Sequence, residues 1–297
     1  MENPIRRKID KKIYIPLFLL FLIGLSILMY PTISNLWNSY RDQQLISEYK
    51  ETVKQETDNQ KEEMLVAARS YNKKIQQESV PDAFSVRNGV KDQEYEALLN
   101  LENDGMMGYI EIPVINCSIP IYHYTSEDSL KKGAGHLFGS SLPVGGVGTH
   151  CIISAHRGLP DARLFTDLNL VKKGDIFYLY VLDEKLAYQV DQILTVKPDE
   201  TESLGITSDK DYVTLVTCTP YAVNTHRLLV RGHRISLKQA ANTKQEQRRR
   251  IANPSAFLLI ICVLAGIGIA ILIVLLIKRV LPYWIQKRRK GNEGKKD

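Results

Sequence analysis

Two stretches without a charged residue, Ile13–Tyr30 and Phe257–Ile277, constrain this 297-residue chain more than any other feature. A helix over the second would span roughly 31 Å at about 1.5 Å per residue, which matches the hydrocarbon core of a bilayer and predicts a transmembrane helix. The first is shorter and follows Arg6, Arg7, Lys8, Lys11 and Lys12, the pattern of either an uncleaved anchor or a cleaved signal peptide. No clean small-x-small cleavage site follows it, which favours the anchor.

Basic residues at the edges of the two runs orient the chain. Five precede the first run and only Arg41 lies close behind it, which places the N-terminus in the cytoplasm. Eight follow the second run between Lys278 and Lys296, against Arg248, Arg249 and Arg250 before it. The two runs agree: both tails are cytoplasmic, and about 225 residues between them lie outside the cell. The net charge of +6 belongs to this topology. Residues 1–12 carry five positive and two negative charges and residues 278–297 carry eight and two, which leaves −3 for everything between. That excludes a nucleic-acid partner.

The cysteines, Cys117, Cys151, Cys218 and Cys262, include no pair at zinc-ligand or C-x-x-C spacing, so no metal or other cofactor is implied. Cys262 falls in the second apolar run. The other three are an odd number in an exported domain, so at least one thiol is free. Cys117 and Cys151 each sit in an apolar, strand-like run, where a buried free thiol is favoured over a disulfide between them.

Between the membrane runs the character changes twice. Residues 42–79 are highly charged, with Leu45, Tyr49 and Val53, then Leu65, Ala68, Tyr71 and Ile75, at three- and four-residue spacing. This predicts one or two amphipathic helices packed on their own domain, the stripe being too short and drifting for a partner-binding coiled coil. Residues 80–105, with Pro81, Gly89 and Gly105, read as an irregular connection. From Gly108 short β-rich runs take over: Tyr109–Ile115, Ile119–Tyr122, His150–Ala155, Ile176–Leu182, Leu186–Val196, Tyr212–Cys218 and Arg227–Ile235. Seven or eight strands with few helical patterns predict a closed barrel or a sandwich, and 176–196 reads as a hairpin around Asp183-Glu184-Lys185. Residues 237–254 are polar and read as a tether.

Three residues are placed to do chemistry. Cys218 ends a β-branched run that Pro220 then stops, so its thiol is held at a strand end beside a loop. His156 ends a second apolar run, Cys151–Ala155, before Arg157-Gly158-Leu159-Pro160. A cysteine needs a neighbouring base or cation to ionise near neutrality, and histidine commonly supplies it. Spacing leaves other histidines open, His226 above all. Arg227 opens the strand that returns antiparallel to Cys218, where a fixed guanidinium can hold the anion formed as a thiolate attacks a carbonyl. Taken singly each has a plain reading as well: a buried strand-end cysteine, a structural turn histidine, a surface strand arginine.

Together these residues resemble the sortase family. Thr214-Leu215-Val216-Thr217-Cys218 followed by Arg227 is similar to its T-L-x-T-C…R signature, and Ser154-Ala155-His156-Arg157-Gly158 to its histidine segment. The resemblance runs from about Tyr109 to Arg234 and takes in Gly135–Pro143 and Thr219–Leu228. It is nearest to the class C, pilin-polymerising sortases of Gram-positive bacteria, which carry a helical N-terminal extension, a lid and a C-terminal membrane helix. It implies an eight-stranded β-barrel with Cys218, His156 and Arg227 as the catalytic residues. The implied partners are pilin or surface-protein substrates with a C-terminal LPxTG-like sorting signal, and a pilin lysine or cell-wall amine as acceptor. The class C lid usually carries Asp-Pro-aromatic, whereas this chain reads Pro81-Asp82-Ala83-Phe84. The lid residues expected from the resemblance are Asp82, near Arg227, and Phe84, over the thiol, on a loop that alanine in place of proline leaves less stiff.

The expected organisation is a cytoplasmic tail (1–12), an anchor helix (13–30), a helical extension (31–79), a lid and connection (80–105), the β-barrel (106–236), a polar tether (237–254), a transmembrane helix (255–277) and a basic cytoplasmic tail (278–297). Alternatives at this stage are a sortase that anchors surface proteins to peptidoglycan, a hydrolytic cysteine peptidase, and a noncatalytic membrane scaffold for pilins.

Overall fold

The computed structural model describes residues 14–75 and 92–244, together with 261, 264–266 and 268–269. The chain divides into two units at residues 251 and 252. The described residues of the second are helical and fall within the second apolar run.

In the first unit, helix α1 (Tyr14–Gln55) runs for 42 residues and carries Pro31 inside it. The apolar run and the first half of the helical extension are one continuous helix across residues 30 and 31. Proline removes one ladder hydrogen bond, but the Leu-, Gln-, Glu- and Lys-rich residues beyond it are good helix formers that continue the ladder. Among the described residues this is the one helix long and apolar enough to cross a membrane, with mean hydropathy 1.8 in its most apolar window. Helix α2 (Asp58–Lys74) opens with a capping box, in which the Thr57 hydroxyl accepts from Gln60 N and the Gln60 side chain accepts from Thr57 N. Ile46, Tyr49 and Val53 of α1, and Leu65, Ala68, Tyr71 and Ile75 in and just after α2, are buried in the main core, so the pair packs on its own domain. Leu45 is only half-buried, and Ile46 takes its place in the stripe.

Eight strands close a barrel: β1 (Met106–Ile112), β2 (Cys117–His123), β3 (Ala134–His136), β4 (Thr149–Ser154), β5 (Ile176–Val181), β6 (Glu184–Val196), β7 (Asp211–Thr219) and β8 (His226–Ile235). Their order around the barrel is β1-β2-β3-β4-β7-β8-β6-β5. β4 lies parallel to β7, and β8 is antiparallel to β7 and β6. β3 was not legible, because three residues are too few to show alternation; it bridges β2 and β4.

Three short helices lie outside the elements read from sequence. Helix α3 (Gln93–Ala97) falls within the connection at 80–105 and buries Tyr95 completely. Helix α4 (Glu127–Lys132) is capped by Ser126. Helix α5 (Leu237–Lys244) stands where the tether was expected to begin, and its Ala240 packs with Ile176, Tyr178 and Ala187.

Alternation on β4 and β7 separates two faces of the sheet. Cys151, Ile153, Val213 and Leu215 belong to the main core. Ile152 and Val216 join a second cluster on the opposite face, with Leu137, Leu204 and Leu229.

Candidate active site

β7 and β8 form a hairpin in which Cys218 stands directly opposite Arg227. The guanidinium Nη1 of Arg227 donates to Cys218 Sγ at 3.6 Å and is steadied by the carbonyls of Asn224 (3.3 Å) and His226 (3.4 Å). Those carbonyls belong to a tight connection in which the N–H groups of Val223 and Asn224 both reach Pro220 O.

His156 arrives from the other side of β7. The parallel ladder pairs Ser154 with Val216, and it is continued by Ala155 N donating to Val216 O (3.1 Å) and the Thr217 hydroxyl donating to Ala155 O (2.8 Å). His156 follows one residue further, two residues past the end of β4. Period-two alternation puts Ile152 and Ser154 on the same face as Val216, Cys218, Arg227 and Leu229. Cys218 and Arg227 thus share one face at one end of β4-β7-β8, above an apolar floor of Ile152, Val216 and Leu229, and His156 follows β4 at that same end. His156 is half-buried, and burial holds its pKa below the ordinary imidazole value. The Glu127 carboxylate raises it, and the Lys131 ammonium lowers it.

Sequence reasoning passed over the ties that hold this arrangement. Arg157 donates from Nη1 to the Thr219 hydroxyl (3.1 Å) and from Nε to Thr166 O (3.2 Å), linking the segment after His156 to the residue after Cys218. The segment closes on itself through Phe165 N to His156 O (3.1 Å) and Gly158 N to the Thr166 hydroxyl (3.1 Å). Gly158 has φ +81°, and a Cβ there would lie 2.8 Å from the Tyr221 ring, so the position requires glycine both for its backbone and for the close approach of the ring. The one available signal was that Arg157 and Gly158 directly follow the histidine.

The other histidines serve elsewhere. His123, His136 and His150 are buried with their ring nitrogens against backbone carbonyls and hydroxyls. His226 pairs with Thr219, and its side chain leaves the face opposite to Arg227. His233 lies toward the far end of β8, 3.9 Å from Asp191. Cys117 and Cys151 are free and buried, as expected; burial pushes the Cys117 thiol up to about 12 and the Cys151 thiol well above its usual value. Among the described residues no group of three or more His, Cys, Asp or Glu side chains is arranged to hold a metal ion. Asp82 and Phe84, the expected lid residues, lie outside the described residues.

A family model for the sortase domain matches residues 110–235, the stretch that carries β2 to β8 and the end of β1. Sortase A of Bacillus anthracis is 30% identical over 139 residues, covering 47% of this chain and 64% of the relative. Among solved structures, sortase C of Streptococcus pneumoniae is 50% identical with a TM-score of 0.60, covering 65% of this chain and 97% of that one. Sortase C1 of Streptococcus agalactiae is 47% identical, also at 0.60, covering 65% and 98%. Residues at strand ends, barrel topology and these likenesses lead to one statement: the chain belongs to the sortase family.

Proposed function

We propose that this chain is a membrane-anchored cysteine transpeptidase that polymerises pilins, with Cys218 as nucleophile, His156 as general acid and base, and Arg227 as oxyanion donor. The observation that carries the reading is the cross-strand Cys218–Arg227 contact at 3.6 Å, with His156 two residues beyond the end of the adjoining strand β4. Support for the pilin substrate comes from the structural likeness to sortase C of Streptococcus pneumoniae, a structure described for its pilin substrate specificity.

In this mechanism the Cys218 thiolate attacks the carbonyl carbon of the Thr–Gly bond in an LPxTG-like sorting signal. Negative charge collects on the carbonyl oxygen, where the Arg227 fork is fixed in advance by backbone carbonyls and needs little reorganisation. His156 gives a proton to the departing glycine amine, the C–N bond breaks, and the threonine acyl group stays on sulfur as a thioester. A pilin lysine amine then attacks the thioester, His156 takes the proton, and Cys218 leaves with its electron pair.

The membrane reading follows from α1 and the sequence: α1 anchors the chain, residues 255–277 cross the membrane a second time, the barrel is extracellular, and both termini are cytoplasmic. Asp82 and Phe84 are assigned to a lid, with Phe84 over the thiol and Asp82 beside Arg227. Alkylation of Cys218 should accelerate in both Phe84→Ala and Asp82→Ala if they close the site.

The direct test is mass spectrometry of the acyl adduct trapped on Cys218 with a sorting-signal substrate and no amine. Cys218→Ala should form none, whereas Cys117→Ala and Cys151→Ala should retain it. An adduct on another residue, or polymerisation by Cys218→Ala, would overturn the assignment. Product formation that does not depend on added amine would point to a hydrolase.

A further inference from the structure

The course of α1 along the barrel fixes which end of the barrel lies nearest the apolar run. Near its start outside that run, the Ser34 hydroxyl and the Asn38 amide both donate to Asp161 O, at 3.2 and 2.6 Å. Asp161 belongs to the segment 156–165 that begins at His156. Arg41 then donates to Lys132 O, beside the start of β3. Further on, the Tyr49 hydroxyl donates to Met107 O and accepts from Leu182 N, at the start of β1 and the end of β5. Leu182 follows directly on β5, whose Val181 stands beside Glu184, and β6 runs from Glu184 to Val196 beside Arg227, so Leu182 lies at the end of β5-β6-β8 away from Cys218. From Ser34 to Tyr49 the helix rises about 22 Å, and from Cys218 back to Asp211 strand β7 covers about 23 Å. Helix α1 therefore travels the length of the barrel, and its apolar run emerges at the Cys218 end.

Two groups of exposed apolar side chains share that end. On α1, Ile33, Leu36, Trp37 and Tyr40 are exposed at i, i+3, i+4 and i+7, with Trp37 69% exposed, while Ser34 and Asn38 turn to the barrel. In the β7–β8 connection, Tyr221 and Val223 are exposed, the latter 63%. A span of about 20 residues crosses the hydrocarbon core, so a helix entering at Tyr14 leaves it near Ile33. Leu36 to Tyr40 then stand about 4 to 10 Å beyond, in the layer where tryptophan and tyrosine concentrate.

We propose that the Cys218 end of the barrel rests on the lipid headgroup layer, through Ile33, Leu36, Trp37 and Tyr40 of α1 and through Tyr221 and Val223 of the β7–β8 connection. The partner of this surface is the bilayer itself. The inference rests on α1 being a membrane anchor and adds the orientation of the barrel upon it. Cys218 then works at the membrane surface, where a substrate retained in the same bilayer meets it at high effective concentration.

The test uses the full chain reconstituted in phosphatidylcholine–phosphatidylglycerol vesicles, some carrying phospholipid brominated near the carboxyl end of the acyl chain. Tryptophan occurs only at Trp37 and Trp284, so single-tryptophan forms are made with Trp284→Phe alone, and with both replaced by Phe plus Leu20→Trp, Val223→Trp or Val147→Trp. Val147 is 77% exposed between Gly146, which donates to Asp211, and Gly148, which donates to Lys210 O, and so reports on the opposite end. Loss of emission to bromine is expected at positions 20, 37 and 223 and not at 147. Quenching at 20 with none at 223 beyond that at 147 would overturn the orientation while leaving the anchor standing. Quenching at 147 equal to that at 223 would do the same. No quenching at 20 would remove the anchor and the proposal with it.

Discussion

Acidification should destabilise this barrel through two buried imidazoles that take no part in the proposed chemistry. His136 is fully buried, with Nδ1 2.7 Å from the Tyr95 hydroxyl and Nε2 2.8 Å from Ser141 O. His150 has Nδ1 2.9 Å from Gly205 O and Nε2 2.7 Å from the Thr214 hydroxyl. In each ring the nitrogen facing a carbonyl must donate, so the other accepts from the hydroxyl, and the neutral ring is satisfied at both atoms. A second proton would turn that acceptor into a donor inside a dry core. Burial accordingly lowers both pKa values from 6.5 to about 4. Because the folded value is depressed, the unfolded chain binds more protons between pH 6.5 and 4, so the stabilisation is complete above pH 6.5 and is lost as pH falls through that window. Between pH 7 and 5 each ring should withdraw about 2 kcal/mol, and the two together about 4, against a typical domain stability of about 5–15 kcal/mol. Asp42 and Asp211 act the other way, since burial holds both carboxyls above their usual range and acid favours their folded form. The difference between variants isolates the imidazoles from that offset. Urea unfolding of a soluble segment spanning residues 32–244, at pH 7 and pH 5, should show a pH-dependent loss about 2 kcal/mol smaller in His136→Gln and in His150→Gln than in the parent. If both variants lose as much as the parent, whatever their absolute stability, the argument from the saturated neutral rings is wrong.

Three further outcomes follow from the site. A small thiol reagent applied to the folded segment should modify Cys218 and leave Cys117 and Cys151 untouched, since burial holds both of the latter thiols protonated; peptide mass mapping reads this directly. Arg227→Lys should keep the fold, by circular dichroism, and lose about 10²–10³ in transpeptidation rate, because an ammonium cannot reproduce the fixed fork; near-normal turnover would remove Arg227 from the oxyanion position. In proton NMR titrations His156 should show a midpoint below the ordinary imidazole value, lowered further in Glu127→Gln and raised in Lys131→Met. Shifts of the opposite sign would show that α4 does not face the ring as described.

How much of this was legible in the chain depended on whether each contact is local. Cys218 and Arg227 could be set face to face from sequence, because a β-branched run, a proline and a short connection make a hairpin whose strands must return on each other. Helices α3 and α5 were not readable, since five and eight residues carry too little periodicity and are held by Tyr95 and Ala240 packing on distant strands. His156 shows where spacing ends and topology begins. It lies 62 residues before Cys218, just past a strand that pairs in parallel, so no local rule sets its place, and spacing alone left His226, only eight residues from the thiol, open. Register and alternation separate them. Parallel pairing carries β4 to the Cys218 end of β7 just before His156, while His226, next to an arginine that shares the Cys218 face, must point to the other. Proximity in the chain favours His226, whereas the course of β4 and the face that His226 takes on β8, properties that no residue carries by itself, favour His156 in the proposed chemistry.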